Sequence, residues 1–189
     1  MVKVAILHEG NSKKTNDNEL LELSIENLGH DIDKVEFFGF GTKSNFFKAD
    51  NSKYKRIKLQ IEEESISKVL FVVDADYEVN DITFGSLKNT EIELKRMIES
   101  LSLSDIADIY VTCDPQTKDG YLESLILSTI PEKQKKCIET FLDCSEFKSK
   151  ENHKSILNEI YKKAYPNAPY DFTHTNFNEL KEKLQNLFK

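Results

Sequence analysis

Val69-Leu70-Phe71-Val72-Val73-Asp74-Ala75-Asp76 is the stretch that decides the fold. Five apolar residues run without interruption and stop abruptly at two acids. Such a run suits a strand covered on both faces, the central strand of a parallel sheet. Working outward, residues 87–103 carry Leu94, Met97, Ile98 and Leu101 at the spacing of one helix face. A strand over 106–112 follows and ends at Asp114-Pro115. After the loop holding Asp119-Gly120 comes a helix with Leu122, Leu125, Ile126 and Ile130. Upstream, 53–66 reads as a helix with Ile57 and Ile61 at i, i+4, and 34–40 as a strand closed by Gly39-Phe40-Gly41. Before these stand a strand over 3–7 and a helix striped by Leu21, Ile25 and Leu28. Asn16 is positioned to cap that helix, Glu19 to complete a capping box, and Gly29 to end it. The alternation predicts an α/β fold: a mostly parallel sheet of about four strands, flanked by helices through right-handed crossovers.

Beyond Pro131 the strand signals stop. Segments 132–147, 151–164 and 176–188 read as helices, the last with Phe177, Leu180, Leu184 and Leu187 on one face. Pro166 and Pro169 mark the break before it. The expected organisation is an α/β domain over 1–130 and a helical C-terminal extension over 131–189 packed on it.

Composition narrows the function classes. A net charge of −7 argues against binding nucleic acid over the whole surface, so any polyanion contact must be local, bridged by a cation or shared with a partner. No apolar run reaches the roughly 18 to 20 residues that span a bilayer. The amino terminus ends its apolar stretch at His8-Glu9 and lacks a cleavage-site pattern, so a cytoplasmic protein without a membrane contact is expected. Cys113, Cys137 and Cys144 are odd in number and widely spaced, which suits reduced thiols, and the four histidines do not complete a zinc pattern. Neither phosphate-binding glycine loop nor nucleophile elbow is present.

In an open α/β sheet, ligands bind at the carboxyl ends of the strands. Three strand ends here carry acids: Glu9, then Asp74 and Asp76, then Asp114. In an extended chain, Asp74 and Asp76 project to one side. Like charges held together need neutralisation, and a hard cation such as Mg²⁺ or Mn²⁺ supplies it through oxygen ligands. An Asp after a buried strand also caps helices and closes Asx turns, so the bland role stands beside the metal one.

At these residues the chain resembles the Toprim family. Val4-Ala5-Ile6-Leu7-His8-Glu9-Gly10 looks like its first motif, a strand ending in Glu-Gly, and Val69 to Glu78 like its second, a strand ending in Asp-x-Asp. Gly120-Tyr121-Leu122-Glu123 resembles a Gly-x-Leu-Glu stretch of small stand-alone Toprim-like proteins and of the overcoming-lysogenization-defect (OLD) nucleases. The likeness covers roughly residues 1–130. It implies a Toprim-like, Rossmann-like sheet in which Glu9 is a metal ligand or the general acid/base. Asp74 and Asp76 hold Mg²⁺, and Glu123 and Asp114 are outer candidates. Glu123 also reads as a first-turn helix acid. The implied activity is metal-assisted hydrolysis of nucleic-acid phosphodiesters, by a nuclease or nuclease-like subunit with a partner ATPase as in the OLD arrangement, or as a homo-oligomer. The alternatives are a catalytically silent binding module and a small-molecule phosphatase or phosphotransferase using the same acids. Lys13 and Lys14, in a polar insert longer than the family pattern has, and the basic stretch Lys53, Lys55, Arg56 and Lys58 are the candidate nucleic-acid contacts. Solvated surface is the alternative for both. No Tyr is marked as a topoisomerase nucleophile and no primase zinc ribbon is present, so the resemblance points away from complete enzymes of those kinds.

Overall fold

The computed structural model describes residues 2–11, 15–144, 150–165 and 170–189. Its four strands, β1 (Lys3–His8), β2 (Val35–Gly39), β3 (Ile66–Asp74) and β4 (Ala107–Thr112), form one sheet in the order β2-β1-β3-β4. Every pairing is parallel. The architecture is therefore α/β and Rossmann-like, and the expected mostly parallel sheet is parallel throughout.

The apolar run sits where its composition requires. β3 is flanked by β1 and β4, and its residues alternate between two cores. Val4, Ile6, Leu70, Val72 and Tyr110 face one of them, together with Leu21 and Ile25 of α1 (Asn16–Asn27) and Leu122 and Ile126 of α5 (Leu122–Leu127). Ala5, Leu7, Val69, Phe71 and Val73 face the other, against α3 (Ser52–Glu62) and α4 (Leu87–Ser100). Period-two alternation between two buried faces produces an unbroken apolar run in a central strand. Each buried Val, Leu, Ile or Phe among these stabilises the fold by roughly 1.5–3 kcal/mol.

The helices after Pro131 join the first core. Leu142 of α6 (Glu132–Cys144), Leu157 and Tyr161 of α7 (Lys150–Ala164), and Leu180, Leu184 and Leu187 of α8 (Asn178–Leu187) belong to the same cluster as Val4 and Ile6. α8 packs on β3 and β4, and polar bonds hold it at the amino ends of these strands. Lys183 pairs with Asp108 at 2.7 Å, and Lys68 donates to the Asn186 carbonyl at 3.0 Å.

Several local expectations change. The N-cap of α1 is Thr15, whose extended backbone lets its hydroxyl accept from the Asn18 N–H, while Glu19 pairs with Lys162 of α7. The helix expected over 53–66 stops at Glu62, because Glu64 takes a left-handed conformation (φ 55°) and Ile66 already opens β3. The helix expected over 87–103 ends at Ser100. A four-residue helix, α2 (Lys43–Phe46), was not anticipated; Thr42 caps it. The expected continuation of α6 to residue 147 falls outside the described residues.

Candidate functional site at the carboxyl edge of the sheet

β1 connects to β2 on one side and to β3 on the other, so the strand order reverses between β1 and β3. That switch point opens a crevice at the carboxyl ends of both strands. A cavity of about 10 Å³ lies there, lined by His8, Glu9, Asp17, Val72, Val73, Asp74 and Thr112. It is the size of roughly one water molecule. Glu9 and Asp74, expected together from sequence, border this same cavity, and Asp17, from the first turn of α1, joins them. All three are half-buried.

His8 is the unusual member. It follows Val4 and Ile6 at period two, so strand geometry drives an imidazole into the apolar face, where it is 1% exposed. Phe37 meets its ring edge-on, and neither ring nitrogen has a hydrogen-bond partner among the described residues. Burial, helped by the charge of Lys53, holds its pKa down at about 4, so the ring is neutral at ordinary pH. Gly10 makes room beside it. A Cβ on Gly10 would stand 3.1 Å from His8 Nδ1, 3.1 Å from Asp17 Oδ2 and 2.8 Å from Thr15 Oγ1. Three polar atoms thus converge on a point that only glycine leaves vacant.

Asp76 goes elsewhere. The expected extended geometry fails because Asp76 is left-handed (φ 58°) and bridges Gly120 through backbone bonds in both directions, at 2.6 and 3.0 Å. Its carboxylate meets Lys43 Nζ at 3.1 Å. That ammonium, on α2, is almost fully buried and lies within reach of the carbonyls of Asp74 (2.7 Å), Ala75 (3.0 Å) and Phe84 (3.2 Å), and of Thr90 Oγ1 (3.2 Å). Five oxygens share three N–H donors. Asp76 therefore belongs to a closed, charge-compensated knot beside the cavity and does not line it.

The outer candidates are also engaged. Asp114 Oδ1 accepts from the Gln116 N–H at 2.8 Å in an Asx turn, and Oδ2 pairs with Lys135 at 3.4 Å. Glu123 is buried in the first turn of α5 and accepts from Asn158 of α7, tying these two helices together. Cys113, beside Asp114, is buried, and burial pushes its thiol up to about 11, opposed by the charge of Lys118 and helped by those of Glu179, Asp114 and Asp119. Among the basic residues, Lys53 donates to the Gly39 carbonyl and lies over the Phe40 ring, while Arg56 pairs with Glu36 at 2.6 Å. Lys55 is exposed. Lys13 and Lys14 lie outside the described residues.

The donors around the cavity are of the kinds a divalent cation takes. Carboxylates, a Thr hydroxyl and an orphaned buried imidazole are suitable donors, and the Gly10 cradle leaves space beside them. Among the described residues, however, no three His, Cys, Asp or Glu side chains are already gathered as a coordination sphere. The donor chemistry fits; closing on an ion requires side-chain rotation. No helix among the described residues is long and apolar enough to cross a membrane. No protein-family model, curated protein or solved structure matches the chain.

Strand parity alone marked His8 as a polar residue in an apolar series. Asp17, in a helix first turn, carried a weaker signal. Lys43 carried none, since its partners lie 31 to 47 positions away in sequence.

Proposed function

We propose that the crevice between β1 and β3 is the site of a metal-dependent Toprim-type nuclease, or nuclease-like subunit, acting on nucleic-acid phosphodiesters. One observation carries this reading: Glu9 and Asp74, from neighbouring strands, border one ion-sized cavity at the topological switch point. Glu9 and Asp74 are the residues that would hold a divalent cation, with Asp17 beside them. When bound, the cation would polarise a phosphate and acidify a coordinated water. In the other role that the resemblance gives it, Glu9 would accept a proton in place of holding the ion. Lys53 sets a positive charge close enough to His8 to lower its pKa, a charge that would also favour an anionic substrate. Nucleic acid is the proposed substrate, and a partner ATPase follows from the OLD resemblance alone.

The test compares wild type with Glu9→Gln and Asp74→Asn on plasmid and single-stranded substrates with Mn²⁺ or Mg²⁺. Both variants are expected to lose at least about a hundredfold in cutting, the scale of a lost acid–base group. Metal-dependent stabilisation should vanish with them. The Asp76–Lys43 pair and the absence, among the described residues, of a gathered ligand trio favour a second reading, a silent binding module. Metal binding without cutting, in the chain and in its co-purified partners, would select that module.

A further inference from the structure

We infer that His8 is a nitrogen ligand of this site, and that the site takes a first-row transition-metal dication such as Mn²⁺ in preference to Mg²⁺. The inference rests on the cation reading above and deepens it by choosing the metal. Its footing is geometric. His8 is 1% exposed, lines the cavity with Glu9, Asp17 and Asp74, and has two ring nitrogens without partners among the described residues. A buried polar group left unsatisfied costs about 1–3 kcal/mol, and an imidazole spends that only against a return elsewhere in the molecule's chemistry. The fold does not relieve the cost, although Thr15 and Asp17 stand around the same vacant point that Nδ1 faces. That point is kept open by glycine, at a place where any Cβ would collide with Thr15 Oγ1 at 2.8 Å.

The choice of metal follows from the donors. Carboxylates and a hydroxyl alone suit Mg²⁺, Ca²⁺ or Mn²⁺. Mg²⁺ prefers an all-oxygen shell with several waters, whereas one imidazole among carboxylates moves the preference toward the transition series. A thiolate-rich zinc site is not the match, because Cys113 belongs to the opposite core and Cys137 and Cys144 are exposed. Glu9, Asp17 and Asp74 are the carboxylates that would hold the ion beside the ring.

The experiment uses the full chain stripped with chelator, then titrated calorimetrically with Mn²⁺ or Mg²⁺ and examined by pulsed EPR in the Mn²⁺ form. The expected results are Mn²⁺ binding at least about tenfold tighter than Mg²⁺, and ¹⁴N modulation from one imidazole. His8→Leu should abolish the modulation and most of the preference. Should that variant fail to fold, His8→Gln is the second variant, expected to bind Mn²⁺ without the imidazole ¹⁴N modulation; modulation that persists in it overturns the assignment to His8. If Mn²⁺ binds the wild type in a Glu9-dependent way without ¹⁴N modulation, the His8 inference is overturned while the cation reading survives. If neither ion binds, both are overturned.

Discussion

Two polar clusters lie side by side at the carboxyl edge of this sheet, and they are built on opposite rules. On the Lys43 side, one buried ammonium serves the Asp76 carboxylate, three carbonyls and a hydroxyl, and the turn after β3 is locked. On the His8 side, an imidazole is buried with no partner among the described residues, next to carboxylates and a deliberate void at Gly10. A satisfied network fixes structure, whereas a buried imidazole left unsatisfied keeps the capacity to bind. The difference assigns the two acids of Asp-x-Asp to different tasks: Asp76 holds the loop in shape, and Asp74 faces the cavity.

The strongest way to break this contrast is Lys43→Met. Removing one partner from a buried charge network should cost about 3–5 kcal/mol, measured by urea denaturation. A loss below about 1 kcal/mol would mean the knot is not the lock described. Cys113 extends the closed side and gives a pH test. Its folded pKa of about 11 lies above its ordinary value of 9, so the folded state keeps a proton that the unfolded state releases between them. Stability is thus full below pH 9 and falls as pH rises toward 11, by about 2 kcal/mol. Cys113→Ala should lack that component of the alkaline slope. The smallest effect belongs to the open side. His8→Leu replaces an orphaned imidazole with an apolar side chain and should raise stability by about 1 kcal/mol. If it lowers stability by the several kcal/mol expected for Lys43, the two clusters are alike and the contrast fails.

The sequence made the sheet legible because period-two burial leaves a direct trace: Val69 to Val73 are apolar since both faces of β3 are covered. Glu9 and Asp74 were legible for a related reason, being the first acids at two neighbouring strand ends. Asp76 was misplaced because its left-handed backbone is imposed by pairing with Gly120, a tertiary contact that local spacing does not encode. Lys43 escaped notice because α2 has only four residues, too few to display a helical period, and the lysine's value lies wholly in distant acceptors. Glu123 carried two readings from sequence. The bond to Asn158 shows its engagement with α7, which only packing of the C-terminal helices could reveal.

That packing also sets a timetable. Leu180, Leu184 and Leu187 of α8 complete the core that Val4 and Ile6 begin. On a ribosome adding about 5–20 residues per second, β1 therefore waits roughly 10 to 35 s for the helix that seals its face. Through that interval the nascent sheet displays a row of aliphatic side chains to solvent or to any chaperone standing at the exit. The ten-residue helix α8 is accordingly the element whose arrival covers that face, and a message cut short before it would release a protein with its sheet half dressed.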